Sequence, residues 1–220
     1  MTAAVRPSRL ATGWRTTVNT ARRWLTRVLP YRPMRGGRAV LDAQYAAGDW
    51  DYLRDASELS RFSVVAGYCH HLKRGGSILE IGCGEGVLAD SLDKGKYTRY
   101  LGVDVSAEAV TRAARRQDAK TTFVAEDAMQ LQVDTPFDVV VFNECLEYFA
   151  DPRELVRKYE ASLEPGGLFI ASIFDGIDTA RSVKIWRMLR GRYDEIAATR
   201  LKNEQGYAWS IKVLRPSARS

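Results

Sequence analysis

Cysteine and histidine are scarce in this chain. Its three cysteines, Cys69, Cys83 and Cys145, are odd in number and scattered, with no Cys-x-x-Cys or His-rich spacing. Neither a disulfide framework nor a zinc site is expected, and the setting implied is reducing and cytoplasmic. Long apolar runs are missing too: no stretch of about 18 apolar residues is available to cross a membrane, and the N-terminus has no apolar core of a secretory signal. Repeats and low-complexity tracts are absent. What remains is a globular composition, 45% hydrophobic and 27% charged, in 220 residues that fit one α/β domain with a short appendage.

Acidic residues are absent from residues 1–41, which hold nine Arg. Of the 33 basic and 27 acidic residues, 24 basic and all 27 acidic therefore lie in residues 42–220, a formal charge of about −3. The net charge of +6 belongs to the arm, so the body lacks the basic face that gripping a phosphate backbone needs, and no specific nucleic acid is expected. Trp14, Val18, Ala21, Leu25 and Val28 recur at helical spacing, with Arg15, Arg22, Arg23 and Arg27 mostly off that stripe. Pro30, Pro33 and Gly36-Gly37 then interrupt the pattern. For residues 14–28 two readings stay open: a contact with a membrane surface or acidic partner, or an arm that is mobile or packed on its own domain or a dimer mate. Residues 1–41 are read as a basic arm and 42–220 as the folded domain of a monomer or homodimer.

From residue 42 onward helix and strand alternate. Residues 51–72 read as one or two helices, followed by strands at 77–81, 100–104, 122–124, 137–142 and 168–174. Helical segments lie between them near 87–92, after Ser106, after Asp151-Pro152 and over about 179–189. This spacing implies a parallel sheet wrapped on both faces. Residues 193–201 and 207–214 flank a polar turn and read as a terminal hairpin, which adds an antiparallel strand.

Where the first strand turns into a helix stands Glu80-Ile81-Gly82-Cys83-Gly84-Glu85-Gly86. Ligands bind at such a crevice in open α/β sheets, and glycines admit close backbone approach. A dinucleotide fingerprint needs glycine at position 87, which is Val, and no Gly-Lys-Ser or Gly-Lys-Thr of a phosphate loop is present. Asp104 closes the second strand, Glu126-Asp127-Ala128 follows the third, Asn143 ends the fourth, and Leu163-Glu164-Pro165-Gly166-Gly167-Leu168 leads into the fifth. In these features, in this order over roughly residues 57–214, the chain resembles the class I S-adenosylmethionine-dependent methyltransferase family.

The resemblance implies a Rossmann-like α/β fold: a seven-stranded, mostly parallel sheet with an antiparallel last strand and helices on both faces. It implies S-adenosylmethionine as cofactor, with Gly82, Cys83, Gly84 and Gly86 in the loop around it. Glu80 is associated with the methionine amino end, and Arg61 with the methionine carboxylate. Asp104, with Val105 beside it, corresponds to the ribose contact, Asp127 and Ala128 to the adenine end, and Asn143 to the methionine side. Glu144-Cys145-Leu146-Glu147-Tyr148 is similar to the Glu-x-x-Glu-His of quinone-type O-methyltransferases, with Tyr148 replacing His, and no metal is expected.

Methyl transfer needs a nucleophile aligned behind the sulfonium and water kept away. If the acceptor is a hydroxyl, Glu144, Glu147 and Tyr148 are the candidate catalytic residues. No Asn/Asp-Pro-Pro-aromatic follows the fourth strand, which disfavours methylation of nucleobase amino groups. The acceptor expected is a small molecule methylated on oxygen, such as a sugar, quinone, phenol or natural product. Arg181, Lys184, Arg187 and Arg190 form either a solvated helix face or a contact for an anionic acceptor, and Tyr45, Trp50, Tyr52, Trp186 and Tyr207 either a stacking wall or core. The alternatives are an RNA methyltransferase that uses the arm and a non-catalytic module that binds the cofactor.

Overall fold

The computed structural model describes residues 31–34, 36–175, 180–204 and 206–217. The amphipathic segment expected over residues 14–28 lies outside them. The chain divides between Arg32 and Pro33, and the elements named below belong to the unit that begins at Pro33.

That unit opens with helix α1 (Arg38–Ala47), which ends at Gly48 in the left-handed conformation. The boundary expected at residue 41 falls inside this helix. A 3-10 turn (Asp51–Arg54) leads to α2 (Ala56–Leu72), whose Glu58, Arg61, Phe62, Val65, Ala66 and Cys69 recur on one buried face at helical spacing. Strand β1 (Ile78–Ile81) feeds α3 (Val87–Ser91), and β2 (Tyr100–Asp104) feeds α4 (Ala107–Ala113). Ser106 caps α4 as its sequence position implies, Oγ accepting the Ala109 amide at 3.1 Å. Next come β3 (Thr121–Ala125), β4 (Phe137–Asn143) and α5 (Pro152–Lys158), whose cap is Asp151. The chain finishes with β5 (Leu163–Phe174), α6 (Ala180–Leu189), β6 (Tyr193–Lys202) and β7 (Ala208–Pro216).

The seven strands lie in the order β3-β2-β1-β4-β5-β7-β6. β1 to β5 are parallel, and β7 is antiparallel to both of its neighbours, β5 and β6. The last strand of the sequence thus sits inside the sheet, leaving β6 at the edge. The apolar run Val139 to Phe142 of β4 and all four residues of β1, Glu80 included, are buried because both faces of the sheet are covered. On one face Val139, Val141, Ile170, Ile211 and Val213 pack with Phe62, Val65 and Cys69 of α2. On the other, the Phe142 ring stands 5.9 Å from that of Tyr159 and 5.7 Å from that of Phe169. No helix among the described residues is long and apolar enough to cross a membrane.

Candidate active site

The sheet order reverses between β1 and β4, and at their carboxyl ends lies a cavity of about 320 Å³. This is the switch point at which open α/β sheets bind ligands, and the volume is in the range of pockets for molecules of cofactor size. Gly82 and Gly84 turn the chain beneath it with φ of 77° and 50°. A Cβ at Gly84 would stand 2.6 Å from the Tyr45 hydroxyl oxygen, so glycine lets α1 close directly over the loop.

At one end Asp104 is nearly buried, its Oδ2 accepting the Gly84 amide and its Oδ1 the Ser106 amide, each at 2.9 Å. Burial pushes its carboxyl up and those amide bonds pull it back. Each oxygen keeps further acceptor capacity for a ligand hydroxyl. Val105 and Ala128 line the same end together with exposed Asp127, whose Oδ1 accepts the Met129 amide at 2.8 Å. Asp42 ties α1 across this end, its Oδ1 accepting from Ser106 Oγ at 2.6 Å and from the Glu108 amide at 3.2 Å.

At the other end a buried hydrogen-bond chain runs across three elements. Glu80, fully buried in β1, accepts the Tyr100 hydroxyl on Oε2 and Asn143 Nδ2 on Oε1, the latter at 2.7 Å. Asn143 Oδ1 accepts Arg61 Nη1 at 2.5 Å. Arg61 also donates from Nε and Nη2 to Glu58 Oε2, at 3.3 and 3.2 Å. Of the five guanidinium N–H groups, one on each terminal nitrogen remains, and Arg61 lines the cavity. Glu80 does not line it: desolvation raises its carboxyl to about 7 although Tyr100, Asn143 and Arg61 all favour the charged form. Glu80 thus lies under the floor of the cavity, where it orients Asn143. Gly86 is likewise off the wall, serving as the left-handed N-cap of α3.

The three acceptor-side candidates separate. Glu144 and Tyr148 line the cavity; Glu147 does not. Glu144 is the one non-glycine residue with positive φ among the described residues, at 52°, and its Oε1 stands 3.0 Å from Arg61 Nε. Burial pushes its carboxyl to about 7, Arg61 opposing and Glu58 adding to the rise. Glu147 turns inward to accept the Phe174 amide at 3.3 Å, and burial followed by repulsion from Glu144 raises it to about 8. The two glutamates thus point to different surroundings, because Glu144 is left-handed and lies outside the turn that holds Glu147. Among the described residues no group of three or more His, Cys, Asp or Glu is arranged to hold a metal ion.

Other expectations resolve by position. Tyr45 and Trp50 form part of the cavity roof, their rings stacked at 5.7 Å, whereas Trp186 donates to Ser210 and Tyr207 packs on Phe174. His70 accepts the Asp93 amide and takes no part in the cavity. The cationic residues of α6 lie outside the wall. Gly36, Leu41, Leu53, Phe62 and Phe149 also line the cavity and were not expected there from sequence, although the apolar stripe of α1 carries Leu41 and Tyr45.

A family model described as a methyltransferase domain matches residues 21–203. Ubiquinone biosynthesis O-methyltransferase of Aliivibrio fischeri is 34% identical over 98 residues, which is 42% of this chain and 42% of that protein. The namesake in Coxiella burnetii is 31% identical over 105 residues, 46% of this chain and 44% of its own length. The chain thus matches less than half the length of these curated relatives. The N-methyltransferase NodS from Bradyrhizobium japonicum, solved with S-adenosyl-L-homocysteine, superposes with a TM-score of 0.71 at 21% identity, covering 81% of this chain and 97% of that one. The 1,6-didemethyltoxoflavin-N1-methyltransferase of Burkholderia thailandensis gives 0.67 at 21% identity, covering 84% and 92%. At such identities these two share the fold.

Proposed function

The chain belongs to the family of S-adenosylmethionine-dependent methyltransferase domains, and from that membership we propose that it methylates a small-molecule acceptor on a hydroxyl oxygen, with Glu144 taking the hydroxyl proton. The cavity suits the cofactor: it has no side chain at Gly82 and Gly84, carboxylates at one end and a guanidinium edge with two uncommitted N–H groups at the other. When bound, S-adenosylmethionine supplies a sulfonium methyl whose carbon–sulfur bond breaks as the bond to the acceptor oxygen forms.

In this reading Asp104 receives the ribose hydroxyls and Asp127, with Ala128, the adenine amino end. Arg61 pairs with the methionine carboxylate through its two remaining N–H groups. Asn143, fixed by Glu80 and Arg61, holds the methionine side, while Tyr45, Trp50 and Phe62 keep water out. The observation that carries the acceptor assignment is Glu144: its strained backbone aims a carboxylate into the cavity, with a pKa of about 7 that suits a general base near neutral pH. Arg61 is the one cation among the described residues that line the cavity, and it is committed to Glu58 and Glu144 and, in this reading, to the methionine carboxylate, which favours a neutral hydroxyl over an anionic acceptor.

The test is incubation with methyl-labelled cofactor and a panel of phenols, quinones, sugars, amines and RNA, with product masses measured. Transfer to hydroxyl compounds that drops at least tenfold in Glu144→Gln, with cofactor binding intact, is the expected result. Transfer only to amines or RNA would overturn the acceptor assignment. Failure to bind S-adenosylmethionine by calorimetry would overturn the cofactor placement.

A further inference from the structure

Three polar atoms close to one another beside the cavity lack hydrogen bonds although they are buried. Glu144 Oε1 is ion-paired with Arg61, but the single Nε–H of that arginine is directed to Glu58, so Oε1 accepts no hydrogen bond. Ser172 Oγ and Trp209 Nε1 are buried donors with no acceptor among the described residues, in side chains 0% and 1% exposed. Buried polar groups are almost always satisfied, so three unmatched atoms in one place call for a physical reason.

The topology brings them together. Ser172 pairs with Asn143 across β4 and β5, and its carbonyl accepts the Glu144 amide at 3.0 Å. Trp209 enters from β7, opposite Phe174 and two residues along from the partner of Ser172, and so stands on the same face of the sheet as Ser172. Both side chains act on the Glu144 carboxyl as donors do, favouring its charged form. One acceptor therefore lacks donors, two donors lack an acceptor, and the acceptor sits on a strained left-handed residue.

We infer that Ser172 and Trp209 are positioning residues for Glu144: their O–H and N–H close onto its carboxylate when it is ionised, and fix the oxygen that receives the acceptor proton. This rests on the role proposed for Glu144 and extends it to two residues that sequence reasoning did not select. The other groups facing Glu144 are Arg61 and Glu58 from α2, Tyr52 from the preceding 3-10 turn, and Glu147 and Tyr148 from the turn after β4. Arg61 supplies charge without a directed bond to Oε1, so orientation falls to the two neutral donors. An indole N–H and a serine hydroxyl can hold the charged carboxylate without adding a second positive charge that would lower its basicity sharply.

The test needs no acceptor. Proton–nitrogen spectra of protein labelled with 15N at its five tryptophan indoles are followed from pH 5 to 9, the Trp209 signal being assigned from Trp209→Phe. The Trp209 indole resonance should move in one titration with its midpoint near that of the Glu144 carboxyl, and should stand still in Glu144→Gln. Ser172→Ala should move the midpoint upward, and Ser172→Thr, which keeps the hydroxyl, should restore it. A Trp209 resonance indifferent to pH, or titrating alike in Glu144→Gln, overturns the inference. The enzymatic reading is judged separately: methyl transfer with a silent Trp209 signal removes the positioning role alone, whereas a Trp209 signal that titrates with Glu144 establishes the contact even if no hydroxyl compound is methylated.

Discussion

Raising the pH from 5 to 8 in the absence of cofactor should destabilise the folded chain. The perturbation acts first on Glu80, which is fully buried in β1 and has its carboxyl raised by desolvation from 4.5 to about 7. Between those limits the folded state keeps a proton that the unfolded chain has already released. Stability from this group is thus fully present below about 4.5 and is lost as pH rises through about 7. The difference corresponds to about 3 kcal/mol, a large share of the roughly 5–15 kcal/mol that holds an ordinary domain together. Glu144 and Glu147 act in the same direction, with the upper limit reaching about 8. They repel one another, and Glu144 is partly exposed, so their effect adds less than two further increments of that size. His70 is lowered by burial and works the other way, gaining stability as pH rises toward 6.5, but it is half-exposed and its effect is small. Urea unfolding of the apo protein at pH 5, 6, 7 and 8 measures the slope. The wild type should lose several kcal/mol across this range, and Glu80→Gln should lose about 2.5 kcal/mol less, the rest of the Glu80 effect falling below pH 5. A wild-type stability that is flat or rises over the window, or an unchanged slope in Glu80→Gln, would refute the reasoning.

Further outcomes follow from the cavity. Asp104→Ala removes two charge-assisted acceptors and the tether of the Gly84 amide, and calorimetry should show S-adenosylmethionine binding weakened on the order of 100-fold or more. Gly84→Ala places a methyl against the Tyr45 hydroxyl at a φ of 50°; cofactor affinity should fall, and adding Tyr45→Phe should recover part of it, whereas no recovery would show that backbone strain alone dominates. Ser106→Ala deletes the cap of α4 and the link to Asp42, which should lower unfolding free energy by about 1–2 kcal/mol in denaturant titrations.

Local patterns carried much of this protein. Apolar runs of strand length separated by helical segments predicted the sheet, because a strand covered on both faces has no polar side to show, and the Val139 to Phe142 run of β4 is buried in that way. Ser106 and Asp151 were readable as caps because capping depends on residues only two or three positions away. The glycine loop, Asp104 and Asp127 announced one cavity because each sits at the end of a strand, where parallel connections gather their carboxyl ends. The terminal hairpin was visible from its turn, but its place was not: β7 lies between β5 and β6, and strand order depends on pairings distant in sequence.

Tertiary structure alone decided what the acidic residues do. Glu80 and Glu144 carry the same side chain, yet one is sealed under the floor by Tyr100 and Asn143 while the other reaches the cavity beside Arg61. Glu144 and Glu147 were equal candidates by residue type, and the left-handed backbone at Glu144 sends their carboxyls to different surroundings. Trp209 and Ser172 came to Glu144 only because β7 was inserted next to β5. The identity of the elements was written in spacing and composition, which are properties of neighbours along the chain, and the cofactor end was implied by the resemblance that the order of the motifs carries. Which carboxyl is charged, and which oxygen faces the acceptor, depends on burial and on partners brought from 20 to 83 residues away, and those are properties of the folded chain.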